Sequence, residues 1–188
     1  MKILIMNDFL LCSGAEIYTE NLVNLLKNRG HDVYLITFDK KFKSKIENFN
    51  FEKSKIYNFK FKSKLSKVLF KKGMYKKLTS KIKEINPDKI IVNNFFSSPT
   101  TQYRALEGYE AFQIVHDNTF ICPNLKVCKN NGKICRGYKF ESCIKNCKHH
   151  NSKLKLMVKL HLVKKVENLR KKYIKKFIVP SLSLTKYL

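Results

Sequence analysis

Within its first 36 residues the chain spells a strand, a turn, a helix and a second strand, and nothing else in it restricts the fold so strongly. Ile3-Leu4-Ile5-Met6 is a short apolar run closed by Asn7-Asp8, which reads as a buried strand. A turn follows at Cys12-Ser13-Gly14. From Ala15 onward the apolar residues Ile17, Leu22, Val23, Leu25 and Leu26 recur at helical spacing. Gly30 then stands where a helix-ending residue belongs. Val33-Tyr34-Leu35-Ile36 is the next strand. Two strands joined through a helix run side by side in the same direction, so a parallel sheet is expected.

The remaining chain extends the pattern. Leu65, Val68, Leu69, Leu78, Ile82 and Ile85 predict amphipathic helix within a lysine-rich stretch, broken near Gly73. Pro87-Asp88 leads into a strand over Lys89 to Val92, and Ala111 to Val115 is another, ended by His116-Asp117. A basic helix is predicted over residues 153–176, and a last strand at Phe177-Ile178-Val179, closed by Pro180-Ser181. The expected fold class is α/β: a Rossmann-like parallel sheet with helices on both faces. The 188 residues suit one domain with a full core and are too few for two α/β domains. We expect residues 1–188 to be one such domain, with a cysteine-rich insertion at 121–150.

Apolar residues make up 44% of the chain, which excludes disorder throughout. The formal charge of +25 selects anionic partners: nucleotides, nucleic acid or an anionic membrane surface. That charge is segregated. Residues 1–39 carry three basic and five acidic side chains, residues 40–83 a net +14, and residues 153–176 a net +9. Lys outnumbers Arg 35 to 4, whereas nucleic-acid readers favour the planar arginine fork, so nucleic acid is the disfavoured partner. A lysine-biased genome would produce the same excess. Two lysine-rich amphipathic stretches suit an anionic membrane surface, or equally a solvated face. No run approaches the ~18 apolar residues of a membrane span, and Met1 to Met6 is too short for a signal peptide. A cytoplasmic location is expected, where six cysteines are read as thiols or metal ligands before disulfides.

Four groups of residues, in order along the chain, resemble the N-terminal domain of family 4 glycosyltransferases of the two-domain GT-B fold. They are Lys2-Ile3-Leu4 with Ser13-Gly14-Ala15-Glu16; Arg29-Gly30-His31-Asp32-Val33; Val115-His116-Asp117 with Ile121-Cys122-Pro123; and Val179-Pro180-Ser181. The further cysteines Cys135, Cys143 and Cys147, the first in Gly132-Lys133-Ile134-Cys135, complete the pattern. In that family a second Rossmann-like domain follows and holds most of the nucleotide-sugar. Here the sequence stops at Leu188, inside the expected helix. The resemblance therefore implies the acceptor-side half of a retaining transferase, inactive alone. A separate chain would supply the second domain, and the acceptor would be a glycan or a lipid-linked glycan. The alternative is a non-catalytic module that binds an anionic ligand or membrane.

Individual residues follow. Gly14, between the first strand and helix, would let the backbone approach a phosphate at a helix amino end. The resemblance places Ser13, Gly14, Ala15 and Glu16 against the donor phosphates or the acceptor. A tight packing turn is the alternative for Gly14, and a favourable helix-end charge for Glu16. His116 falls at the carboxyl end of a strand, where open α/β sheets bind ligands. The resemblance assigns it to the transferred sugar, with Asp117 orienting the ring or the acceptor hydroxyl. Cys122, Cys128, Cys135, Cys143 and Cys147 are separated by 5, 6, 7 and 3 residues. Structural zinc needs four ligands with one close pair, which Cys143 and Cys147 supply. The resemblance adds Cys122 and Cys135, while free thiols and disulfides remain alternatives.

Overall fold

The computed structural model describes residues 1–8, 14–39, 51–60, 70–95, 98–116, 141, 143 and 153–179. The chain divides into two compact units. One comprises Met1–Val115 with Lys171–Ile178, the other His116–Arg170 with Val179–Leu188.

The first unit holds a six-stranded sheet, every pairing parallel, in the order β3-β2-β1-β4-β5-β6. Its strands are β1 (Lys2–Asn7), β2 (Asp32–Thr37), β3 (Ile56–Asn58), β4 (Lys89–Asn94), β5 (Ala111–Ile114) and β6 (Lys176–Ile178). The helices are α1 (Gly14–Asn28), α2 (Lys72–Ile85), α3 (Pro99–Arg104) and α4 (Lys153–Tyr173). The expected α/β Rossmann-like class is what is found.

β1 sits at the centre and is apolar on both faces, as a strand covered on both sides must be. Successive side chains alternate. Ile3 and Ile5 join Val33 and Leu35 of β2, Ile56 of β3, Phe51, and Val23 of α1, with Leu22, Leu26 and Ile91 packed alongside. Leu4 and Met6, on the opposite face, are as fully buried as Ile5. Of the apolar residues read for α1, Leu22, Val23 and Leu26 meet this sheet, whereas Ile17 and Leu25 are exposed.

The ends of the helices follow local chemistry. Gly30 has φ +76°, and its N–H donates to Lys27 O at 2.9 Å while His31 N–H donates to Leu26 O at 3.1 Å. Those two bonds form the Schellman closure, which needs a left-handed residue and so favours glycine. Asn86 ends α2 in the same conformation, at φ 50°, with its N–H on Ile82 O. Pro87-Asp88 then turns into β4. Asp88 Oδ2 accepts from Lys2 N–H at 2.7 Å, and Asp88 N–H returns a bond to Lys2 O.

The structure departs from the sequence reading at three points. Residues 53–58, to which the sequence reading assigned no element, form a 3-10 turn (Lys53–Lys55) and the edge strand β3. The β-branched and aromatic pair Ile56-Tyr57 favours a strand, and three residues suffice at a sheet edge. Described helix in the lysine-rich stretch begins at Lys72, beside Gly73, and Leu78, Ile82 and Ile85 are its buried residues. The last strand is Lys176–Ile178, one residue earlier than read, and α3 was not foreseen at all. Residues 61–69, including Leu65, Val68 and Leu69, lie outside the described residues. So does the cysteine-rich stretch, apart from Glu141 and Cys143.

In the second unit Cys143 is buried with Leu156 and Leu160 of α4. No described helix is long and apolar enough to cross a membrane.

Candidate functional site at the β1/β4 switch point

The chain builds outward from β1 in two directions, through β2 to β3 and then, after returning, through β4 to β6. The crevice beyond the carboxyl ends of β1 and β4 is the point where that order reverses, and open α/β sheets bind ligands there. Three polar residues end these two strands with their side chains buried: Asn7, Asp8 and Asn93.

A local irregularity brings two of them together. Met6 pairs with Val92 but Asn7 pairs with Asn94, so β4 carries one extra residue, Asn93, at this point. Bulges of this kind re-aim a side chain. Asn93 Nδ2 donates to Thr19 Oγ1 of α1 at 2.6 Å, and Asn7 Nδ2 donates to the same oxygen at 3.2 Å. All three residues are at most 1% exposed.

A second strap leads to α3. Gln102 Nε2 donates to Asp8 Oδ1, while Gln102 Oε1 accepts from Ser98 N–H at 3.0 Å. Ser98 Oγ donates to Thr101 Oγ1 at 2.9 Å, and Thr101 Oγ1 also accepts Lys71 N–H at 3.1 Å. Asp8 O takes Phe38 N–H at the end of β2. There Thr37 Oγ1 donates to Asn58 Oδ1, and Asn58 Nδ2 donates to Asp39 O. Behind these groups Phe38, Phe95 and Tyr103 meet edge to face, and Tyr103 O–H donates to Gln113 Oε1 at 2.9 Å. A carboxamide can give and take at once, and Gln102 and Asn58 each use both ends to fasten two segments together.

Gly14, the first residue of α1, stands beside this network in the chain. A Cβ added to Gly14 would meet nothing within 4 Å among the described residues. The first N–H groups of α1 have no partner within the helix, and its dipole favours an anion.

The other predicted residues fare as follows. His116 is half-buried and is the residue at which the second unit begins, two positions past the end of β5. Ala15 and Glu16 lie in the first turn of α1, and nothing is described of their side chains. Ser13, Asp117, Cys122, Cys135 and Cys147 lie outside the described residues. Cys143 is buried between leucines, surroundings that suit an apolar thiol, and the described residues hold no group of three or more metal-binding side chains.

A cluster of shifted ionisable groups lies where β2 begins, at the other end of the strands. The Lys55 ammonium, 2.8 Å from Asp32, holds the Asp32 carboxyl below its ordinary range, and Asp32 raises Lys55 in return. Ser54, then Lys55, lowers Glu52. Tyr34 is raised, first by burial and then by Asp32. This cluster ties β2 to the turn before β3 and is remote from the switch point.

Asn7, Asp8, Thr19, Asn93 and Gln102 were not singled out as site residues from the sequence. A polar pair directly after an apolar strand run, as in Asn7-Asp8 and Asn93-Asn94, is the signal that marks such ends.

The sheet is an open α/β unit with the doubly wound strand order 3-2-1-4-5-6. No family model matches the chain and no curated protein matches it. Among solved structures it is similar to Anabaena HepE in complex with UDP and glucose, and in complex with UDP-glucose, each at TM-score 0.59 and 16% identity. The match covers all of this chain and 40% of HepE, so the chain spans less than half the length of that relative. It is also similar to the lipopolysaccharide outer core galactosyltransferase WaaB, at TM-score 0.46 and 19% identity over 60% of this chain and 32% of that one.

Proposed function

We propose that the chain is the N-terminal, acceptor-side half of a GT-B glycosyltransferase. It would move a sugar from a nucleotide-sugar donor to a glycan or lipid-linked glycan. The observation that carries this reading is the sheet whose fold HepE shares, with Gly14 at the amino end of the helix that follows its central strand. HepE was solved with UDP and with UDP-glucose, which makes a UDP-sugar the donor to try first.

In this reading Ser13, Gly14, Ala15 and Glu16 form the wall that faces the donor diphosphate or the acceptor. The backbone N–H groups at the start of α1 give hydrogen bonds to phosphate oxygens as negative charge grows on the leaving group. The bond between the anomeric carbon and the phosphate oxygen breaks, and a bond to an acceptor oxygen forms. The acceptor proton leaves with a basic group or with the departing phosphate. His116 contacts the transferred sugar and Asp117 orients the ring or the acceptor hydroxyl. Transfer needs donor and acceptor held together, and one wall cannot do this. A second Rossmann-like domain would complete the enzyme. A structural zinc on Cys122, Cys135, Cys143 and Cys147 would brace the cysteine-rich stretch without a catalytic role.

A second reading is a non-catalytic module on an anionic surface. It is favoured by α2, where Lys72, Lys76, Lys77 and Lys83 are exposed and the helix's one acid, Glu84, is bound by Lys81. Peripheral contact with the inner face of a membrane is compatible with either reading.

The test is to sequence the DNA beyond codon 188 and express whatever second half it encodes together with this chain. Transfer from UDP-glucose by the pair supports the enzyme. Absence of any such half supports the binding module.

A further inference from the structure

Thr19 is a buried hydroxyl that takes two carboxamide donors from two different strands, and the proposed chemistry does not use it. It lies on α1, in the second turn after Gly14. Its partners Asn7 and Asn93 end the two strands that flank the switch point. The bulge supplies independent support. Regular pairing would have continued Met6–Val92 into Asn7–Asn93, yet β4 spends an extra residue at Asn93. The amide of that extra residue makes the shorter of the two bonds to Thr19. A strand gains nothing in pairing from such an irregularity, so the gain lies in the aim of the side chain.

The geometry has a consequence for α1. Val23 and its apolar neighbours fix the helix laterally, but apolar contacts permit sliding along a flat sheet. A hydroxyl held by two directional bonds fixes where the helix lies along its own axis, and with it the depth of the Gly14 amides in the crevice. We propose that Thr19, clamped by Asn7 and Asn93, is the positioning residue of the phosphate-binding start of α1. This rests on the reading above in which the start of α1 faces the donor diphosphate.

Thr19→Val keeps the shape and removes the acceptor, whereas Thr19→Ser keeps the acceptor. Asn93→Ala removes one donor and leaves α1 itself unchanged. The experiment titrates the isotope-labelled 188-residue chain with UDP and follows the amide signals of Gly14 and the first turns of α1. Hydrogen exchange of β2 and α2 amides serves as the measure of fold. The expected result is UDP binding by the wild type, a loss of about tenfold or more for Thr19→Val, a smaller loss for Asn93→Ala, and wild-type affinity for Thr19→Ser. The β2 and α2 amides stay protected in each. Unchanged affinity in Thr19→Val overturns the positioning role alone. So does a loss accompanied by general deprotection while Asn93→Ala binds normally. A wild-type chain that binds no UDP at millimolar concentration overturns the assignment of the start of α1 to the donor diphosphate and this role together.

Discussion

Gln102 holds Asp8 by one end of its amide and Ser98 by the other. Nε2 donates to the Asp8 carboxylate, and Oε1 accepts the Ser98 N–H that opens α3. Gln102 and Asp8 lie 94 positions apart, and both are fully buried. Replacing Gln102 with Leu removes a donor from a buried carboxylate, and should cost about 1–3 kcal/mol in urea unfolding. Gln102→Glu places a second carboxylate against the first. The introduced carboxyl would titrate above its ordinary range in the folded state. Stability should therefore be low at neutral pH and recover as pH falls through that raised value. A variant equally unstable at pH 5 and pH 7.5 would show that Asp8 does not face this side chain.

The Asp32–Lys55 pair predicts a modest pH effect. Asp32 titrates lower in the folded chain than in the unfolded one, so its contribution is present above the unfolded value near 4 and lost as pH falls through the folded value. Lys55 titrates higher when folded, so its share is present below its unfolded value and lost as pH rises through the folded one. The side chains are 41% and 32% exposed, so the pair is worth at most about 1 kcal/mol. Asp32→Asn should shift the acid limb of the stability curve and leave the neutral region within that margin, as read by thermal melts from pH 2 to 8.

The core face of α2 gives a larger number. Leu78 is fully buried. Leu78→Ala should lose about 2–5 kcal/mol, whereas Lys76→Ala on the exposed side should change stability by less than about 0.5 kcal/mol. Chemical denaturation of the two variants separates them directly.

Two predictions come from the proposed function. His116→Ala in the enzyme completed by a second half should lower turnover about 10- to 100-fold, the worth of a lost charge-assisted hydrogen bond. An unchanged rate removes His116 from the reacting sugar. Metal analysis of purified protein should return close to one zinc per chain, and Cys147→Ser should release it. Metal-free protein would leave Cys143 as an apolar thiol between Leu156 and Leu160.

The architecture was legible because burial period and punctuation agreed. The run Ile3 to Met6, the α1 residues Leu22, Val23 and Leu26, and the left-handed Gly30 all act locally, and each acts as expected. β3 was hidden because a three-residue edge strand within lysine-rich sequence has no room to show alternation. α3 was hidden by its length, though Ser98-Pro99 is a start signal in plain view. The polar network at the switch point was illegible for a different reason. Thr19, Asn93 and Gln102 acquire their roles only when β1 and β4 become neighbours, and a single bulge decides that Asn93 reaches α1. Gly14 and His116 were singled out by position at strand and helix ends, which sequence does reveal.

The central claim is that this chain supplies one wall of a sugar-transferring cleft. Its most direct test is to follow a labelled sugar from a UDP-sugar donor into a glycan acceptor, with the chain alone and with a second Rossmann-like half expressed beside it. The account predicts no transfer by either half alone and transfer by the two together. Transfer by the second half at the same rate with and without this chain would contradict it.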